Sequence, residues 1–350
     1  MLVFVHIVFG LLMALLLTPA SARGDGLTGR IGEHFTARDT LTIGEETKAD
    51  ARDCLKGLSW SPAEFLVEIL PPSAENRGDV LIRFPSPLSP REDESANVFL
   101  EWHPARAADG TIPEAPAVVV VHESGRSMTV GRLIAAGFAQ RGVHAFLIHL
   151  PGYGMRRWKQ KEVDAARLRS IPQGVADVRR ARDAVAVLPH IRKENISLQG
   201  TSLGGFISST AAGLDRGYQN VFLLLSGGDV FSVLQNGDRD AAKLKQNARD
   251  AGLDDAALKA FVWQIEPNRL AHRVDPARTW LYSGVFDTIV PIENGRAYAK
   301  AAHLPESHHV LMPVDHFAGF LLLPAVLDKM TAEILGASDQ PPMVQQDAMP

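Results

Sequence analysis

Cysteine is nearly missing from this sequence: Cys54 is the single one in 350 residues. One thiol excludes an intramolecular disulfide framework, a C-x-x-C redox pair and any multi-cysteine zinc or iron-sulfur site. Excess charge is missing too, with 36 Lys and Arg against 40 Asp and Glu and a formal net charge of -4. That balance argues against nucleic acid as a partner and against a disordered acidic chain. No low-complexity tract occurs, and 29 Gly and 22 Pro without a period rule out collagenous and linker-dominated chains. Beyond the first residues no apolar run approaches transmembrane length, so no stable membrane insertion of the mature chain is expected. What is present is 46% hydrophobic and 22% charged residues, in a chain long enough to bury a sizeable core.

Met1 to Leu17 carry no charged side chain and lead through Thr18-Pro19 to the small-residue motif Ala20-Ser21-Ala22. The pattern predicts a secretory signal peptide over 1–22, and with it a periplasmic or secreted protein. Because a charged n-region is missing, retention as an anchor is the alternative. Residues 23–96 divide into a polar, glycine-rich arm, expected to be mobile and to lead into a short helix by about residue 60, and the first two of three extended runs. Those runs, Phe65 to Leu70, Asp79 to Phe84 and Asn97 to Trp102, are apolar, bounded by prolines and joined by short connections. They read as antiparallel strands.

From Ala117 onward buried strands alternate with helices. Strands are expected at Val118 to His122, Ala145 to Leu150, Ile196 to Gln199, Val221 to Leu225, Thr279 to Ser283 and His309 to Met312. Helices are expected near Val130 to Arg141, Pro172 to Leu188, Glu293 to Ala302 and Pro324 to Leu335. Strands apolar on both faces imply a parallel sheet covered on both sides. Segments 97–227 and 276–336 therefore read as an α/β core. Between them, 228–275 carries charged helical patterns and reads as an inserted helical cap, while 337–350 reads as a disordered tail.

Gly200-Thr201-Ser202-Leu203-Gly204 fits G-x-S-x-G, placed after a strand and before a helix as that motif requires. Such a turn presents the hydroxyl of Ser202 in a cramped backbone, beside the unpaired N–H groups of a helix N-terminus. A phosphate cradle would instead need a Lys-Ser/Thr ending, which is missing. A serine hydroxyl needs a base and an orienting acid to act as a nucleophile. Asp287 follows the strand ending near Ser283, and His316 follows the strand ending near Met312, so both fall on the edge that carries Ser202. Asp229 is a rival orienter, and Asp315 reads as a loop acid. Near the first βα turn, Glu123 is either a solvated carboxylate or a pocket group, and Tyr153 is a candidate pocket residue.

Together, Gly200 to Gly205, Phe286 to Pro291, Asp315-His316 and His122-Glu123-Ser124-Gly125 make the chain resemble the α/β-hydrolase superfamily from roughly Asn97 to Leu335. The resemblance implies an α/β fold with a mostly parallel, twisted, eight-stranded sheet flanked by helices. It implies an acyl-enzyme on Ser202, with His316 as general base then acid and Asp287 as its orienter. The backbone N–H groups of Leu203 and Ser124 would form the oxyanion hole, with no cofactor and no metal. Glu123 after the histidine looks more like the dienelactone hydrolase and acetyl xylan esterase branch, whose first group uses cysteine where this chain has Ser202. The expected function is a secreted serine hydrolase acting on a small-molecule carboxylic ester, as a short-chain esterase or deacetylase. A peptidase or amidase on the same fold is the second reading, and a non-catalytic binding protein the third.

Overall fold

Residues 26–74, 76–89, 96–157, 170–250 and 252–336 are described by a computed structural model. The signal peptide expected at 1–22 and the tail expected at 337–350 lie outside them. Strand β5 (Ala115–Val121) is buried at every position, and a strand of that kind needs cover on both faces. It pairs in parallel with β6 (His144–Ile148) on one side and β7 (Ile191–Thr201) on the other. The parallel series continues through β8 (Val221–Leu224), β9 (Thr279–Gly284) and β10 (His309–Met312). On the far side, β1 (His34–Arg38), β2 (Glu64–Leu70), β3 (Val80–Pro85) and β4 (Asn97–His103) add antiparallel strands.

The sheet has ten strands in the order β1-β2-β3-β4-β6-β5-β7-β8-β9-β10. The nine runs read as strands are β2 through β10, β1 was not read from the sequence, and the sheet has two strands more than the eight that the resemblance implies. Helices α2 (Thr129–Ala139), α3 (Ile171–Ala186), α4 (Leu203–Asp215), α9 (Ile292–Ala301) and α10 (Leu323–Gly336) flank it. Among the described residues no helix is long and apolar enough to cross a membrane.

The expected mobile arm is corrected from Gly26 onward. His34–Arg38 pairs with β2, and the next residues are tied to α3 by ionic and hydrogen bonds. Arg180 Nε donates to Asp39 at 2.9 Å, and Thr40 donates to Asp183 through its amide at 2.8 Å and its hydroxyl at 2.7 Å. Arg179 bridges Asp183 and Asp215, at 3.0 and 2.7 Å. Beyond them, α1 (Ala49–Leu58) buries Ala51, Cys54, Leu55 and Leu58. That i, i+3, i+4, i+7 spacing is one helical face.

Between β8 and β9 stand α5 (Val230–Asn236), α6 (Asp240–Asp250), α7 (Asp255–Trp263) and α8 (Pro267–Leu270). The starts of α5, α7 and α8 are capped by side chains: Asp229 accepts from the Ser232 amide, Asp254 from Ala257 and Glu266 from Asn268. Leu234, Ala248, Leu258 and Val262 form a small core of their own. Strand registry then sets the stage for the site, since Val121 pairs with Gly200, Thr201 with Leu224, Leu224 with Tyr282, and Gly284 with Met312. The carboxyl ends of five parallel strands thus come side by side, where open α/β sheets bind their ligands.

Candidate active site

Ser202 stands between β7 and α4 with φ 51° and ψ -116°. A non-glycine residue there stores roughly 1–3 kcal/mol of strain, held by its surroundings. The Ser202 amide donates to Leu224 O at 2.9 Å, and its carbonyl accepts from Gly205 and Phe206 at 2.8 and 3.1 Å. Glycine is required at the flanks: a Cβ on Gly200 would lie 2.4 Å from Gly204 O, and one on Gly204 would lie 2.2 Å from Val121 O. The close passage of α4 against β7 and against β5 therefore depends on two missing side chains, those of Gly200 and Gly204.

His316 reaches both predicted partners. Its Nε2 lies 3.0 Å from Ser202 Oγ and its Nδ1 lies 2.7 Å from Asp287 Oδ2. The other carboxylate oxygen of Asp287 accepts from the amides of Ile289 and Val290 at 2.8 and 2.9 Å, which fixes the side chain in a buried turn. With Asp287 accepting at Nδ1, the imidazole holds its proton there and turns a lone pair toward Ser202. The two rival acids are used elsewhere. Asp229 caps α5, and exposed Asp315 caps the turn after β10, accepting from Phe317 and Ala318 at 3.0 and 2.7 Å.

Ser124 and Leu203 both line the cavity into which Ser202 opens. Leu203 is the first residue of α4, so its N–H has no intrahelical acceptor. The Ser124 loop is fastened from behind. The Leu150 amide donates to His122 Nε2 at 3.3 Å, so Nδ1 of that ring carries the proton and donates to Glu123 O at 2.6 Å. Burial pushes the His122 pKa down to about 3, keeping the ring neutral. Tyr153 lines the cavity as expected and donates its hydroxyl to Ser124 O at 3.2 Å.

Glu123 is not among the residues that line the cavity: its two oxygens accept from the amides of Val130 and Gly131 at 3.1 and 3.0 Å, so it caps the N-terminus of α2.

Under this loop sits an ionic cluster that sequence reasoning missed. Completely buried Glu101, on β4, accepts from Arg132 of α2 at 2.6 Å and lies 3.0 Å from His149, just after β6. Burial raises the pKa of Glu101, yet His103 at 3.7 Å and the hydrogen bonds of His149 and Arg132 outweigh it and hold the carboxyl far below the ordinary range. Arg156 pairs with Asp177 of α3 at 2.8 Å, both wholly buried. None of these three pairings has a short-range sequence signal, since the partners lie 21 to 48 residues apart.

The cavity has a volume of about 370 Å³. One wall is the face of α4 formed by Leu203, Phe206, Ile207 and Thr210, whose i, i+3, i+4, i+7 spacing was present in the sequence. Opposite stand Leu234, Leu244 and Val262 of the inserted helices. The Thr210 hydroxyl donates its proton toward Phe206 O and Ile265 O, at 3.0 and 3.2 Å. Among the described residues no three His, Cys, Asp or Glu side chains come together in a way that could hold a metal ion.

No protein-family model matches the chain, and no curated protein matches it by sequence. Solved structures do. Acetyl xylan esterase 1 from Thermoanaerobacterium sp. aligns over 85% of this chain and 97% of its own, with TM-score 0.57 and 14% identity. An acetyl xylan esterase from Paenibacillus sp. R4 aligns over the same shares with TM-score 0.53 and 17% identity. A puromycin-hydrolyzing peptidase of Mycobacterium tuberculosis aligns over 80% of this chain but 47% of its own, with TM-score 0.54 and 16% identity. At such identities the likeness is one of fold, and the fold is that of the α/β-hydrolases.

Proposed function

We propose that the protein is a serine hydrolase that cleaves carboxylic esters through an acyl-enzyme on Ser202. The observation that carries this reading is the position of His316, 3.0 Å from Ser202 Oγ and 2.7 Å from Asp287 Oδ2. His316 Nε2 takes the hydroxyl proton as Ser202 Oγ attacks the ester carbonyl, and Asp287 stabilises the imidazolium. The amides of Leu203 and Ser124 receive the oxyanion. Collapse breaks the C–O bond, and the departing alcohol takes its proton from His316. Water then repeats the sequence on the acyl-enzyme, returning the acid and the free serine.

An ester is favoured over a peptide by the walls of the cavity. A peptide brings N–H donors on both sides of the scissile bond, and each would need an acceptor once desolvated. The facing side chains of α4 and the inserted helices are mainly aliphatic and offer few acceptors. The test is labelling with a fluorophosphonate together with turnover of p-nitrophenyl esters. Wild-type protein labels and turns over, while Ser202→Ala does neither and loses at least about 10⁴-fold in kcat. A Ser202→Ala variant as active as wild type would overturn the reading.

A further inference from the structure

We infer that the ester this site takes carries an unbranched apolar chain of roughly six to eight carbons on one side of the scissile bond, rather than an acetyl group alone. The inference rests on the esterase reading above and goes on to the substrate class. At about 370 Å³, and at roughly 30 Å³ for each water-sized group, the cavity has room for about a dozen such groups. The ester itself fills a few of these. An acetyl substrate would leave most of an apolar chamber without contacts, forgoing burial that rewards each methylene.

Gly174 supplies a second observation. It lies in α3 and lines the cavity. Its amide donates to Ser170 O at 2.9 Å, an ordinary helical bond. A Cβ there would meet Leu150, Ile207 and Pro151 at 3.6 to 3.7 Å, ordinary contact distances. Packing therefore does not demand glycine, unlike at Gly200 and Gly204, and helix propensity disfavours it. What the missing side chain leaves is room, beside three residues that themselves line the cavity.

The experiment measures kcat/KM on p-nitrophenyl esters from acetate to decanoate, and on alkyl acetates from ethyl to octyl. In one of the two series kcat/KM should rise about fourfold per methylene until the cavity is full, near six to eight carbons. The series that rises tells whether the chain lies on the acyl or the alcohol side. In Gly174→Leu the ratio of octanoate to acetate, or of octyl to ethyl, should fall at least tenfold. Gly174→Ala, which adds one methyl at contact distance, should lower it in the same direction and keeps the test open if the leucine variant does not fold. A fall with every added methylene in both series would overturn the inference. So would an unchanged ratio in folded Gly174 variants. Failure of the esterase reading is distinguishable, because then no ester turns over and Ser202 does not label.

Discussion

His316 takes Asp287, 29 residues away in sequence, as the partner of its Nδ1, although Asp315 is its immediate neighbour. Adjacent residues on a turn diverge, and Asp315 spends its carboxylate on the amides of Phe317 and Ala318. Asp287→Asn should lower kcat by roughly 10³–10⁴-fold with little change in melting temperature, because an amide favours the wrong imidazole tautomer. Asp315→Asn keeps an oxygen for the same two amides and should change kcat by less than about threefold, since asparagine caps as well as aspartate. Steady-state kinetics on the two purified variants decides between the acids, and reversed behaviour would reassign the orienter to Asp315.

The ties between α3 and the N-terminal segment should show in stability rather than catalysis. Arg180 is buried against Asp39 and also lies over the Phe65 ring, with its guanidinium carbon 4.6 Å from the ring centroid. Arg180→Ala leaves Asp39 uncompensated and should cost about 3–5 kcal/mol. The double variant with Asp39→Ala should recover part of that loss. Urea unfolding of the single and double variants measures the coupling, and a strictly additive cycle would show that the pair does not act as a unit.

The same contrast explains what the sequence disclosed. Ser202, Asp287 and His316 were legible because each follows a short turn-bounded run that reads as a sheet strand, so strand order alone brings them to one edge. The serine had a local signal as well, since the glycine-bounded turn needs only its own neighbours. Strand β1, HFTAR, was illegible: five residues with a burial pattern open to solvent carry little periodicity. Its pairing with β2 reaches past the intervening helix α1, and the ties of Asp39 and Thr40 to α3 span about 140 residues. The capping role of Glu123 was illegible for a related reason. A carboxylate beside the oxyanion turn faces the cavity or the helix depending on where α2 begins in space, which sequence spacing does not fix.

Acid should destabilise the protein in two stages. Burial is the main cause that pushes the pKa of His144 down to about 4 and that of His122 down to about 3. In the unfolded chain both titrate near 6.5, so below that pH the unfolded state binds more protons. Their contribution is full above about pH 6.5 and is lost as pH falls toward 4 and 3, by roughly 1.4 kcal/mol per unit for each ring. Glu46 adds a second stage. Burial raises its pKa, but hydrogen bonds from Lys48, Arg273 and His272 prevail and lower it to about 2. Its stabilisation is present above about pH 4.5 and is lost below it. Urea unfolding from pH 7.5 to 5 should reveal the histidine stage, and His144→Asn should reduce the slope by about 1.4 kcal/mol per unit. An unchanged slope would remove His144 from the account.

Gly204 sets the spacing between the two halves of the proposed oxyanion hole. It is the second residue of α4, and a Cβ there would meet Val121 O at 2.2 Å and His122 O at 2.6 Å. Both are backbone atoms at the end of β5, two and three residues before Ser124, so a methyl group can be admitted only by moving strand and helix apart. Such a shift separates the amide of Leu203 from that of Ser124. Gly204→Ala should therefore lower kcat by roughly 10²–10³-fold, the scale of losing one oxyanion donor. Overpacking should also cost about 1–3 kcal/mol. Gly57 is the control, because it lies in α1 with nothing within 4 Å of its would-be Cβ. Gly57→Ala should leave kcat unchanged and add up to about 1 kcal/mol of stability. If Gly204→Ala keeps its kcat while losing stability, the spacing of β5 and α4 matters only for packing, and the second donor must come from a residue other than Ser124.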